Sequence, residues 1–201
     1  MVYTEMLPSL DNFVSFGVEA FKARADYRQM VLDIYQTSIT SENLGENDAV
    51  NGCKLAESML LNLRGMVDDA LQPIIATALP VVEKAETNAL RLAALDVLVD
   101  AVLYNPAAAL GILDAAGPGV ARGFFDRWFA AINVEARLPR VHDKKLSIMA
   151  LCALMEMDPA AIPESVKEAW PHIVSGTLKL FQEYPKAVQG AYCYILGGRR
   201  C

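Results

Sequence analysis

The chain has 201 residues, 54% of them hydrophobic, a mean hydropathy of +0.25, a formal net charge of −6 and a pI of about 5.0. An acidic chain repels a phosphate backbone, which argues against direct nucleic-acid binding and suits basic protein partners. The most apolar run, Ala89 to Tyr104, contains Arg91, Asp96 and Asp100; a membrane span needs about 20 nearly charge-free residues, so the run reads as a buried helix.

The start, Met1-Val2-Tyr3-Thr4-Glu5, lacks a basic stretch followed by an apolar core and does not read as a signal peptide. Cys53, Cys152, Cys193 and Cys201 form no CxxC pair and no zinc-like spacing with His142 or His172, and a reducing intracellular compartment is the simpler reading. Ala and Leu dominate, and Val or Ile runs with strict alternation are absent, which favours helix over strand.

In chain order, a first helix lies near Ser9 to Ser15. The next runs from about Ala25 to Ile39, with Tyr27, Met30, Val31, Ile34 and Tyr35 at helical spacing. Thr40 to Asn47 has loop chemistry in Ser41, Asn43, Gly45 and Asn47. Asp48 is expected to cap a helix to about Leu63, which Gly65 stops by taking the left-handed conformation. Asp68 and Asp69 open the following helix, with Pro73 expected in its first turn and Pro80 near its end.

Thr87 caps the strongest helix, Asn88 to Tyr104, whose polar residues Asn88, Arg91, Asp96 and Asp100 form one narrow stripe on an otherwise apolar surface. Such a helix is covered on both sides by neighbours. Asn105-Pro106 reads as a cap followed by proline at the first helical position, opening a helix to about Ala115 that Gly117-Pro118-Gly119 breaks. Val120 to Ile132 is helical, then Lys144 to Met157 behind His142-Asp143. Asp158-Pro159 ends that helix, and Pro163 with Glu164 starts one reaching about Phe181, kinked at Pro171. The tail from Glu183 is left unassigned, with Gly197-Gly198-Arg199-Arg200-Cys201 expected to fray.

Paired in order, these helices show a period. The first members start near Asp26, Asp68, Pro106 and Asp143, at spacings of 42, 38 and 37 residues. HEAT and armadillo repeats run roughly 40 to 47 residues, and one such hairpin cannot bury its apolar face alone. The spacing predicts an all-α, HEAT/armadillo-type right-handed solenoid of about four antiparallel hairpins over residues 1–182, followed by a tail, 183–201. The competing architecture is a single globular helical bundle.

Few residues suggest chemistry. In His142-Asp143-Lys144-Lys145 the carboxylate could orient the imidazole as a base, but no Ser or Cys stands in a nucleophile motif, and Asp143 serves more simply as a helix cap. Asp68-Asp69 could pair as acid and base, or face a helix dipole. Gly117-Pro118-Gly119 lacks the GKS or GKT ending of a phosphate loop. Phe124, Phe125, Trp128 and Phe129 read as inter-helix core before partner groove, Cys53 and Cys152 as inert. Glu42, Glu46 and Asp48 read as solvated charge that could attract basic partners. No catalytic, cofactor-binding or metal-ligating set emerges, no cofactor is implied, and the sequence does not locate the protein-binding residues.

Several segments together resemble one family. Tyr3-Thr4-Glu5-Met6-Leu7-Pro8-Ser9-Leu10-Asp11-Asn12-Phe13-Val14 is similar to the segment opening the C-terminal third of importin-seven and importin-eight type receptors. Leu103-Tyr104-Asn105-Pro106 resembles their "YYNP" turn, Phe125-Asp126-Arg127-Trp128 their "ITQW" helix, and His142-Asp143-Lys144-Lys145 with Leu151-Cys152-Ala153-Leu154 their "HDRK" and "LCAL" pair. Order and spacing agree over about residues 3 to 160, and the resemblance fades after Phe181.

The resemblance implies an importin-β-superfamily karyopherin built of HEAT repeats, seen here as an internal or C-terminal fragment or as an incomplete gene model. It implies a non-enzymatic carrier that binds protein cargo, including basic ribosomal proteins and histones. It also implies Ran GTPase and nucleoporins as partners of the full-length receptor, and shuttling between cytoplasm and nucleus. The alternatives are a vesicle-coat or kinase-scaffold adaptor of helical repeats and, from another class, a small helical hydrolase using His142.

Overall fold

The computed structural model describes residues 2–134 and 138–195, and the expected fraying of 197–201 lies outside them. The described residues are helical almost throughout: α1 (Val2–Phe16), α2 (Val18–Ala23), α3 (Ala25–Thr40), α4 (Glu46–Asn62), α5 (Asp68–Lys84), α6 (Asn88–Tyr104), α7 (Pro106–Ala115), α8 (Val120–Asn133), α9 (Val141–Met155), a 3₁₀ turn at Pro159–Ala161, α10 (Glu164–Lys167) and α11 (Trp170–Ile195). The chain forms two compact units, Met1–Asn105 and Pro106–Cys201.

In the first unit α3 packs on α4 and α5 on α6, each pair joined by a short connection and therefore antiparallel. The pairs then stack layer on layer. α3 lies against α5, where the Tyr35 hydroxyl donates to the Ile74 carbonyl at 3.2 Å, and α4 lies against α6. Glu46, at the start of α4, accepts from the backbone N–H groups of Glu86 (3.1 Å) and Thr87 (3.4 Å) at the start of α6. At the other end of α4, Asn62 donates to Ser15 near the end of α1 at 3.3 Å. Helices within a hairpin thus run antiparallel, while α1, α4 and α6 form one layer of parallel neighbours. This is the all-α, HEAT/armadillo-type fold that the spacing predicts.

Closing the first hairpin requires a glycine. A Cβ on Gly52 of α4 would stand 1.7 Å from Ser38 Oγ and 2.8 Å from Ser38 Cβ on α3. The buried Ser38 hydroxyl is already committed, donating to the Tyr35 carbonyl at 2.6 Å. The two backbones meet at this point, and α4 is buried almost all round as a result.

The second unit repeats the scheme. α7 packs on α8 and α9 on α11, with α7 against α9 and α8 against α10 and α11. Lys144 at the start of α9 pairs with Glu183 of α11 at 3.1 Å, as antiparallel partners require. Arg122 near the start of α8 pairs with Glu168 just before α11 (3.3 Å), and Lys179 donates to the carbonyl of Asn133 at the end of α8 (2.9 Å). The layer neighbours α8 and α11 therefore run parallel.

Most expected boundaries agree to a residue or two, and several differ for identifiable reasons. α1 starts well before Ser9, at Val2, ends one residue past Ser15, at Phe16, and carries Pro8 inside it. Asp48 and Asp143 are not N-caps but stand three residues in. Their carboxylates accept from the N–H groups of Gly45 and Arg140, each at 3.2 Å, so each helix begins earlier than a capping aspartate implies, at Glu46 and Val141. Pro73 lies beyond the first turn of α5, because the helix starts at Asp68. The segment expected to kink at Pro171 is instead broken, α10 ending at Lys167 and α11 starting at Trp170. That places Pro171 at the second helical position, where its missing N–H has no helical partner to lose. The expected boundary at 182/183 falls inside α11, which continues to Ile195.

Replacing Gly52 with Ala forces α3 and α4 apart. The expected loss is about 2 kcal/mol, read as a lower denaturant midpoint with an unchanged slope. An unchanged midpoint would mean that the two backbones do not meet there.

Candidate functional site

The enzyme-like constellations come apart in the structure. Asp143 is 0% exposed and turns to Arg140, whose Nε donates to it at 2.6 Å in addition to the backbone bond, while His142 is exposed. The carboxylate therefore fixes the start of α9. Asp68 and Asp69 are both exposed at the start of α5, and Asp68 accepts from the Tyr104 hydroxyl at 2.8 Å. That hydroxyl in turn accepts from the Val67 N–H at 3.2 Å, tying the start of α5 to the end of α6. Partial burial and the bond to Asp68 raise the Tyr104 phenol above its usual range.

The acidic loop is largely committed inside the chain. Glu46 caps the start of α6, and its bond with Thr87 holds its carboxyl below the ordinary value. Asp48 is buried at the start of α4, and Glu42 remains exposed. Gly117 and Gly119 adopt positive φ, 147° and 81°, and make the break before α8.

The aromatic group is core. Phe124, Phe125, Trp128 and Phe129 are buried, with Trp128 and Phe129 stacked at 6.2 Å. Trp128 donates through Nε1 to Ser147 Oγ on α9 at 3.0 Å, satisfying the indole inside the unit. Cys53 is buried, and burial with Glu57 and Asp96 nearby pushes its thiol well above the usual range, so it is a poor nucleophile. Cys152 is half-buried and free.

Two arrangements were not foreseen. The first is a cleft of about 160 Å³ lined by Arg122, Phe125, Asp126, Phe129, Glu168 and His172, with His172 against Phe129 at 5.9 Å. Ligand pockets for drug-sized molecules run about 300–1,000 Å³, so this one has room for a single side chain at most. Arg122 and Glu168 lie 46 residues apart in sequence, and no local pattern joins them. The second is the burial of Asp96 and Asp100 from the polar stripe of α6; they are 2% and 1% exposed.

Among the described residues no group of three or more His, Cys, Asp and Glu is arranged to hold a metal ion, and no helix is long and apolar enough to cross a membrane. What the chain offers is surface. Along α11, Val174, Leu178 and Phe181 form an exposed apolar stripe at helical spacing, beside the buried Ile173, Thr177 and Leu180.

The fold and these surfaces define a helical-repeat protein of the HEAT/armadillo class. Comparison with known proteins narrows the class. The chain is 26% identical over 190 residues to an importin beta-like SAD2 homolog of Arabidopsis thaliana, covering 90% of this chain and 18% of that protein. It is 26% identical over 163 residues to a probable importin-7 homolog of Dictyostelium discoideum, covering 79% and 15%. It is 25% identical over 197 residues to importin-8 of Danio rerio, covering 92% and 19%. No family model and no solved structure matches. The chain is thus similar to importins of the importin-7 and importin-8 types. It spans less than a fifth of the length of these relatives.

The different roles of His142 and Asp143 can be measured. Asp143→Ala is expected to cost about 1–2 kcal/mol, because it removes the capping acceptor and a charge-assisted bond. His142→Ala, at an exposed position, is expected to cost less than Asp143→Ala. Thermal or urea unfolding of both variants checks this, and a reversed order would remove Asp143 from its capping role.

Proposed function

We propose that this chain is a segment of a nuclear transport receptor that binds protein cargo and takes part in Ran-dependent import into the nucleus. The observation that carries the reading is the similarity to importins along 79–92% of the chain, on a fold of stacked helical hairpins. A hairpin array suits the task. Each repeat touches only its neighbours, so the whole bends with little local cost and presents an extended surface to a protein partner. The net charge of −6 favours basic cargo such as histones and ribosomal proteins, by steering their approach and penalising acidic competitors.

The mechanism is surface complementarity, with no covalent step. Cargo binds in the cytoplasm, nucleoporins conduct the loaded receptor through the pore, and GTP-bound Ran displaces the cargo in the nucleus. The exposed stripe Val174, Leu178 and Phe181 and the exposed acids, Glu42 among them, supply apolar and charged surface for such contacts.

The test is a pull-down of the full-length product carrying this sequence with Ran loaded with GTP or GDP, in the presence of a histone. Binding of the GTP form alone, with release of the histone, is expected. If Ran–GTP is not retained, the import reading fails and a vesicle-coat or kinase-scaffold adaptor takes its place.

A further inference from the structure

Three carboxyl groups lie buried where α4 stacks on α6. Asp96 and Asp100 stand one turn apart on α6, Glu57 belongs to the facing α4, and their exposures are 2%, 1% and 6%. Neither oxygen of Asp100 has a protein hydrogen-bond partner. An ionised carboxylate withdrawn from water without partners is strongly disfavoured, and the group escapes that cost by keeping its proton.

The surroundings of Asp100 reinforce this. α4 brings Glu57, and α6 itself brings Asp96, both acids. The cation whose field reaches Asp100 is Arg64, which lies just beyond α4 and is exposed, hence screened by solvent. The buried positions of α5, on another side of α6, are Ala70, Leu71, Ile74, Ile75, Ala78 and Val82, all apolar. Burial first, then Glu57 and Asp96, pushes the Asp100 carboxyl well above the ordinary carboxylate range.

We propose that the α4–α6 seam is a proton-dependent joint, closed while Asp100 is a neutral acid and loosened when Asp100 ionises between the two neighbouring carboxyls. The seam joins the second helices of two successive hairpins, so its tightness sets how firmly one hairpin stacks on the next. This is a property of the fold and does not rest on the import reading.

The direction with pH follows from linkage. A group whose folded pKa lies above its unfolded one binds more protons when folded. Its contribution is fully present below the unfolded value, about 4, and is lost as pH rises toward the raised folded value. Across that window one proton changes the folding equilibrium by about tenfold per pH unit.

The experiment compares thermal unfolding of the 201-residue chain and its Asp100→Asn variant from pH 4.5 to 8.5. The amide has the shape of the neutral acid and cannot ionise. The variant is expected to melt close to the unmodified chain at the acid end and above it at the alkaline end, losing one proton's share of the downward slope. Parallel profiles, or a variant less stable at pH 8 than the unmodified chain, overturn the proposal. If the variant does not fold, infrared spectra of the unmodified chain decide. A protonated-carboxyl C=O stretch that persists at pH 7 and disappears at higher pH supports the joint, and its absence at pH 7 overturns it.

Discussion

The burial of α4 is the constraint on which the first unit depends. Its buried positions run from Asp48 and Ala49 through Asn51, Gly52, Cys53 and Leu55 to Leu60, with few gaps. A helix of that kind has no face to give to solvent and needs neighbours on several sides. α3, α1 and α6 supply them. The hairpin partner covers only part of the surface, and the rest is dried by helices of adjacent hairpins. Two demands follow for the sequence: small residues where backbones meet, as at Gly52, and apolar residues on more than one stripe of each layer helix. α11 meets the second demand with its buried stripe at Ile173 and Leu180 and an exposed one at Val174, Leu178 and Phe181.

Several polar groups in these stacks are used structurally. Glu46 reaches across from the start of α4 to the N–H groups that open α6, and the Tyr104 hydroxyl bridges Val67 and Asp68 at the far end of that hairpin. In the second unit Trp128 and Ser147 satisfy each other between α8 and α9. Residues that look chemically suggestive in the sequence are thereby consumed in holding helices in register. Asp100 is different, because its oxygens find no such partner. A buried acid of this kind is tolerated when it stays neutral, which trades some stability at alkaline pH for sensitivity to protons.

Much of this organisation is legible in the sequence because hydrophobic periodicity and punctuation agree. α6 is read to the residue, since Thr87 caps it and Asn105-Pro106 ends it, and the Thr87 side chain does accept from Leu90 N–H at 3.3 Å. The breaks at Gly65 and Gly119 follow from their need for positive φ. The errors cluster where one residue type serves two positions. An aspartate stabilises a helix start equally from the cap and from three residues inside, so Asp48 and Asp143 fix the neighbourhood of a start but not its register. Proline is equally ambiguous: in α5 Pro73 and Pro80 are carried inside the helix, whereas Pro171 sits at the start of a new one. The cleft of Arg122, Glu168 and His172 is illegible in one dimension, because it exists only once α8 and α11 lie side by side.

In each unit, stacked hairpins hold the chain's surface in shape. The stacking is tested most directly by amide hydrogen exchange measured along the chain. If the layer of α1, α4 and α6 encloses the core of the first unit, the amides of α4 and α6 exchange slowest there, opening together and well after α2 and the connection at 41–45. Amides of α4 that exchange as fast as those of α2 would contradict the account, since a helix covered on three sides cannot open first.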